Sequence, residues 1–156
     1  MATAYSTALY AANTPANTGH GDNTNSVHLH AVSGTIATWA AGDTIAIGYL
    51  PRNAVVVSCS LKAASQLDSN GAPTLTLSIG VTGAATVFKS AITTVGRAAG
   101  ASADQTLSAA GVLYKNVTGA KIAVLVTVAT AAATPVAGTL EADLEFYVED
   151  AAGSYP

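Results

Sequence analysis

Residues 139–149, TLEADLEFYVE, alternate between apolar and polar side chains. The apolar row is Leu140, Ala142, Leu144, Phe146 and Val148, and the polar row is Glu141, Asp143, Glu145, Tyr147 and Glu149. Because successive side chains of a strand point to opposite faces, this pattern predicts a long, half-buried β-strand with an acidic outer face. Such a strand needs a second apolar layer over its inner face, which the rest of the chain must supply.

Alternation of the same kind predicts further strands, which start near Val27 and cover residues 44–50, 54–62, 74–81 and 121–130. Less regular segments are residues 35–39, expected to continue the first strand; 84–94, a helical turn or a short strand; 96–110, a loop; and 111–116, a short strand. About eight short strands predict an all-β fold, a jelly-roll-like antiparallel β-sandwich. An immunoglobulin-like sandwich is disfavoured because the single cysteine, Cys59, follows Trp39, so the Cys…Trp…Cys pattern is absent.

The composition favours one domain that assembles with other protein. The chain has 156 residues, of which 50% are hydrophobic and only 10% charged, with a net charge of −3. A surface of Ala, Thr, Ser and Gly repels other protein weakly, and nothing basic predicts a nucleic-acid partner. The N-terminus lacks the pattern of a signal peptide, and the most apolar run is shorter than the roughly 20 residues that span a bilayer, so no membrane contact is expected.

Residues 1–25 are predicted to form an extended N-terminal arm, and residues 26–156 the sandwich domain. The arm is rich in Asn, Thr, Gly and Pro and has no apolar period. Two interpretations remain open. The arm is either a disordered terminus or a segment that orders against a neighbouring subunit through the anchors Tyr5, Leu9 and Tyr10.

Two sets of side chains are candidates for a site. His28 and His30 share one strand face, as a metal-binding pair would, but no carboxylate follows them closely, as it does in cupin-like metalloenzymes. The acidic row has its carboxylates about 7 Å apart along the strand, too far for one compact calcium site. We therefore predict no metal and no cofactor, and expect His28, His30, Glu141, Asp143 and Glu145 to lie at a protein interface.

Nothing in the sequence predicts catalysis. Cys59 is in phase with an apolar row, and a buried thiol is inert. The chain has neither a Gly-x-Ser-x-Gly elbow nor a phosphate-binding loop. Trp39, Tyr49 and Tyr114 are more typical of core packing than of sugar stacking. The Asn116-Val117-Thr118 sequon is attributed to chance, because no signal peptide accompanies it.

Residues 42–56, GDTIAIGYLPRNAVV, form a strand that ends in Leu-Pro and leads through a short turn into a Val-rich strand. With the later stretch LTLSIGV at 75–81 and the closing pair Tyr147-Val148, this pattern resembles small virion proteins of tailed bacteriophages, over roughly residues 27–149. The resemblance implies a non-enzymatic head decoration (cement) protein. Such a protein is made in the host cytoplasm, assembles as a homo-oligomer, commonly a trimer, and binds the major capsid protein on the outer capsid surface. The alternative is a carbohydrate- or receptor-binding sandwich module of a phage fibre or tail.

Overall fold

The computed structural model describes residues 5–6, 26–98, 102–105 and 107–149. In this part of the chain every regular element is a β-strand. The strands are β1 Tyr5–Ser6, β2 Ser26–Val32, β3 Thr44–Leu50, β4 Ala54–Ala63, β5 Thr76–Val81, β6 Ala84–Ile92, β7 Ser102–Gln105, β8 Ile122–Thr130 and β9 Leu140–Val148. The described residues include no helix long and apolar enough to cross a membrane.

The strands form two sheets, with the orders β1-β3-β8-β5-β6 and β2-β9-β4-β7. From β2 onwards the chain changes sheet at every connection except the β5–β6 hairpin, and neighbouring strands are antiparallel. Eight strands in this order are a jelly roll, so the predicted fold class is confirmed. Strand β1 is an addition, which pairs parallel with β3 on the outer edge of the first sheet.

The closing strand β9 lies between β2 and β4 and is hydrogen-bonded to both. Its inward residues Leu140, Ala142, Leu144 and Phe146 are buried, as their alternation predicts. Val148, at the strand end, is exposed instead. The opposite layer is supplied mainly by β5 and β8, whose buried residues are Leu77, Ile79, Val81, Val124, Val126 and Val128. These two rows close the dry interior on which the fold depends.

Two β-bulges shift the side-chain alternation that the sequence predicts. In β4 the register with β9 shifts between Val56 and Ser58, so Val56 is buried and Val57 is exposed, the reverse of the expected faces. In β3 the shift between Ala46 and Gly48 leaves Tyr49 on the exposed side. A bulge places two residues opposite one, which changes the face of the residues beyond it.

Other local predictions are corrected by long-range contacts. Residues 35–39 are not a strand: Ile36 makes one isolated bridge, and Trp39 is buried with its indole nitrogen donating to the carbonyl oxygen of Val136 at 2.9 Å. The segment 84–94 is a strand, and the expected loop 96–110 contains β7. Residues 111–116 form turns with one bridge, from Lys115 to Val55.

One end of the sandwich is held by the buried carboxylate of Asp68. Its two oxygens accept hydrogen bonds from the backbone N–H groups of Asn70, Thr74, Leu75, Ala133 and Thr134, at 2.8 to 3.3 Å. Burial alone would raise the pKa of Asp68, but the backbone donors outweigh it and hold the pKa well below its ordinary value. The carboxylate therefore joins the β4–β5 and β8–β9 connections.

The opposite end is held by the buried amide of Asn116. Its Nδ2 donates to the carbonyl oxygens of Leu50, Pro51 and Ala120, and its Oδ1 accepts from Thr118. The side chain is fully buried and its amide fully used, which makes the sequon inaccessible in the folded protein.

A histidine–carboxylate face on the outer side of one sheet

The outer side of the β2-β9-β4 layer carries three parallel rows of polar side chains, which we call the histidine–carboxylate face. It consists of His28 and His30 on β2, Glu141, Asp143 and Glu145 on β9, and Ser58, Ser60 and Lys62 on β4. The register pairs each carboxylate with a residue of β4, and pairs Asp143 and Glu145 with the two histidines. All five interface residues predicted for the folded domain therefore lie on one surface.

Asp143 is the centre of this face. His30 Nδ1 lies 2.6 Å from Asp143 Oδ1, and the hydroxyl of Ser60 donates to Asp143 Oδ2 at 3.4 Å. One carboxylate thus bridges the strands on both sides of it. Such cross-strand polar pairs add modest stability to a sheet.

The two glutamates repeat the arrangement. Glu141 Oε2 lies 3.7 Å from Lys62 Nζ, and its Oε1 lies 3.8 Å from His30 Nε2. Glu145 accepts a hydrogen bond from the hydroxyl of Ser58 at 3.1 Å and lies 3.9 Å from His28 Nε2. Because these side chains remain at least partly exposed, water screens each pair and none contributes more than about 1 kcal/mol. The surface can therefore exchange these contacts for those of a partner.

Three ligand atoms, from His30, Glu141 and Asp143, lie within 4.8 Å of one another. This imidazole and carboxylate donor set is chemically compatible with zinc. The group differs from the His28–His30 pair considered from the sequence, since His28 lies beside Glu145 instead. The carboxylates come from β9, 111 and 113 positions after His30, where a search near the histidines would not find them. The histidine row and the carboxylate row share a two-residue period, so the two rows can lie side by side once β2 pairs with β9. This shared period is the signal that was not used to bring the two rows together.

The group also lacks the surroundings of a catalytic metal centre. A catalytic zinc acts within a dry, shaped cavity, whereas the side chain of His30 is 51% exposed on the outer face of the sheet. The ammonium group of Lys62 lies beside Glu141, where it opposes the approach of a dication. This geometry is better suited to contact with protein.

The side chains considered as a nucleophile or as a sugar-stacking platform are mostly buried or packed against other residues of the fold. Cys59 is buried, and burial raises its pKa to about 11 against a weaker opposing effect of Lys89, so the thiol is a poor nucleophile. Trp39 is buried, and the Tyr114 ring packs edge-on against Phe88 with centroids 5.3 Å apart. Tyr49 is exposed, and Lys121 Nζ lies 4.8 Å from its ring centroid. These aromatic residues do not present the open platform that sugar stacking requires.

The arm anchors fall partly within the described residues. The backbone of Tyr5 pairs with Ile45 in the parallel β1–β3 ladder. Leu9 and Tyr10 lie outside the described residues. A second surface that the sequence analysis did not single out is the loop after β7, where Val112, Leu113 and Val117 are exposed.

Comparison with known proteins finds similar chains in solved structures of phage capsids. No protein-family model and no curated protein matches the chain. A solved structure titled "Cyanophage Pam1 capsid asymmetric unit" contains a chain with 31% identity and a TM-score of 0.67, and the match covers 86% of this chain and 92% of that one. A chain of the "Capsid of Ralstonia phage GP4" has 28% identity and a TM-score of 0.65, with 88% and 91% covered. The protein described here therefore belongs to a family of structural proteins of phage capsids.

Proposed function

We propose that this protein is a capsid decoration (cement) protein, which binds the outer surface of the phage head and stabilises contacts between major capsid subunits. The observation that carries the proposal is the similarity of nearly the whole chain to components of two phage capsids. The protein's one thiol is buried, and the histidines and carboxylates of the histidine–carboxylate face are paired across the strands. A non-enzymatic, contact-making role agrees with both facts.

The stabilising effect follows from simple linkage. A protein that bridges two shell subunits adds contacts that must break before the subunits separate. Binding to the intact shell alone shifts the equilibrium towards it, by an amount that grows with the ratio of free protein to Kd. If three linked copies bind at once, each further contact becomes intramolecular and the total affinity rises steeply. No chemical step is needed.

Contact between copies, which a homotrimer requires, is supported by the contrast between the two outer faces of the sandwich. The outward positions of β8 and Thr76 of β5 are at least partly exposed and uncharged, whereas Ser78 and Gly80 further along β5 are buried; the β8 positions are Ala123, Leu125, Thr127 and Ala129. The other sheet carries the histidine–carboxylate face. Since the cores of protein interfaces are depleted of charge, the uncharged face is the better surface for contact between copies, and the charged face for the rim or for a shell subunit.

The N-terminal arm offers a further means of contact between subunits. Within one chain, β1 adds to the exposed edge of β3, and the same mode of strand addition can operate between chains. We propose that residues 1–25 reach a neighbouring subunit, with Tyr5, Leu9 and Tyr10 as anchors. The ordering of such an arm costs conformational entropy, which offsets part of the contact energy.

The test is addition of the purified protein to capsids that lack it. We expect saturable co-sedimentation with the shells and a higher temperature of shell disruption in calorimetry. Absence of binding, or binding without a change in shell stability, would reject the cement function. Deletion of residues 1–25 is expected to weaken assembly or shell binding, and an unchanged oligomer with unchanged binding would reject the role of the arm.

A further inference from the structure

An apolar tip projects from the end of the sandwich that Asn116 holds. It consists of Val57, Val112, Leu113 and Val117, all of them exposed. The bridge from Val55 to Lys115 and the hydrogen bond from Val56 N–H to the Tyr114 carbonyl place Leu113 near the level of Val57. Leu113 and Val57 therefore lie on neighbouring stretches of chain, and Val112 and Val117 are exposed in the same loop as Leu113.

Leu113 is held in a backbone conformation that costs free energy. Its φ is +54°, in the left-handed region, which disfavours a residue that carries a Cβ, such as Leu. Its side chain is 60% exposed, so packing within the domain does little to offset this cost. An Asn or Gly would suit the backbone better. Strained residues of this kind cluster at binding and switch sites, so an exposed Leu113 in this conformation points to contact with another surface.

The tip is rigidly supported from beneath. The Ser108 hydroxyl donates to the Val87 carbonyl and accepts from the Gly111 N–H, and the Val112 N–H donates to the Ser108 carbonyl at 3.0 Å. Tyr114 packs on Phe88, and Asn116 fastens the chain beyond it. A partner would therefore meet a preformed knob, with little ordering entropy to lose.

Size and charge indicate what would cover the tip. A stable interface between copies buries about 800 Å² on each partner, more than four aliphatic side chains supply. Lys115, in the same loop, pairs with Glu149 at 2.6 Å and so places a charge-compensated polar pair beside the apolar side chains. A small apolar anchor with a polar rim suits a pocket on a larger protein. In a capsid component, the major shell protein is that larger protein.

We propose that the apolar tip, with Leu113 at its centre, inserts into an apolar pocket of the major capsid protein. This inference rests on the proposed cement function and specifies which end of the sandwich faces the shell. It requires that changes at the tip remove shell binding without harming the fold.

The test uses the full chain and undecorated capsids, with three variants. Leu113→Asn is expected to fold with equal or greater stability, because Asn tolerates the left-handed conformation, yet to bind shells at least tenfold more weakly. Val117→Ser is expected to weaken binding in the same direction. Ala72→Ser, at an exposed residue of the β4–β5 connection at the other end of the sandwich and away from the histidine–carboxylate face, is the control and is expected to bind as the wild type does.

The outcomes separate this inference from the proposed function. Wild-type binding retained by Leu113→Asn would overturn the tip as the docking site while leaving the cement function intact. A changed oligomeric state in sedimentation would overturn it by assigning the tip to contact between copies. New protease cleavage within residues 7–25 of the isolated variant would overturn it by assigning the tip to the arm. A wild-type chain that binds no shells would overturn both.

Discussion

His30 and Asp143 are direct partners in the β2–β9 register, and their side chains meet at 2.6 Å between Nδ1 and Oδ1, although 113 positions separate them in the sequence. The contact lies on the outer face of the sheet, where both side chains are about half exposed. The strand order of the jelly roll therefore brings His30 and Asp143 together, and their contact adds little to the stability of the fold.

The substitutions His30→Ala and Asp143→Ala are each expected to lower the free energy of unfolding by no more than about 1 kcal/mol, because water screens an exposed pair. The measurement is urea denaturation of both variants and of the double variant. The coupling energy from this cycle is expected to stay below about 1 kcal/mol. A coupling of 2 kcal/mol or more would show that the face is a structural element of the fold.

Zinc is expected to bind weakly and without fixed stoichiometry. His30, Glu141 and Asp143 have suitable donor atoms, but Asp143 is also hydrogen-bonded to Ser60, and the Lys62 ammonium lies beside Glu141. A dication would have to displace these contacts. Calorimetric titration with zinc is expected to give the same weak isotherm for the wild type and for His30→Ala. One tightly bound zinc per chain, lost in His30→Ala, would contradict this expectation.

The strands could be predicted because their signal is local. Alternation within residues 122–130 and 140–148 reports directly which face of each strand is buried. The bulges at Val56 and Gly48 could not be predicted, since an extra residue in one strand is defined only against its partner. Strand β7 was missed for a related reason: its four residues, Ser-Ala-Asp-Gln, carry no apolar period, and pairing with β4 makes them a strand.

The residues of the histidine–carboxylate face could be identified from the sequence, whereas the apolar tip could not. The rows of His28 with His30 and of Glu141 with Asp143 are visible in the sequence, but their juxtaposition depends on β9 pairing with β2. The apolar tip was missed because Val112 and Leu113 look like core residues of a short strand. Their exposure results from turns held by Ser108 and Asn116, which are tertiary contacts.

Replacement of Asp68 is expected to destabilise the protein more than any change on the histidine–carboxylate face. Asp68→Ala removes the acceptor of five backbone N–H groups at the centre of two connections, and each buried donor left unsatisfied costs about 1–3 kcal/mol. We expect a loss above about 3 kcal/mol in urea denaturation. Asp43→Ala is the control, because Asp43 accepts one backbone N–H, from Ala40, and is expected to cost about 1 kcal/mol. Equal losses for the two variants would contradict the assigned role.

The same carboxylate makes the fold sensitive to acid. The pKa of Asp68 is lower in the folded protein than its ordinary value, so the folded state binds fewer protons than the unfolded state as the pH falls. The stabilisation by Asp68 is therefore fully present above the unfolded pKa of about 3.9 and is lost progressively below it. Unfolding curves between pH 7 and pH 2 are expected to show this loss for the wild type, and a smaller dependence below pH 4 for Asp68→Asn, whose side chain does not titrate. An identical acid dependence in both proteins would show that Asp68 does not control the acid sensitivity of the fold.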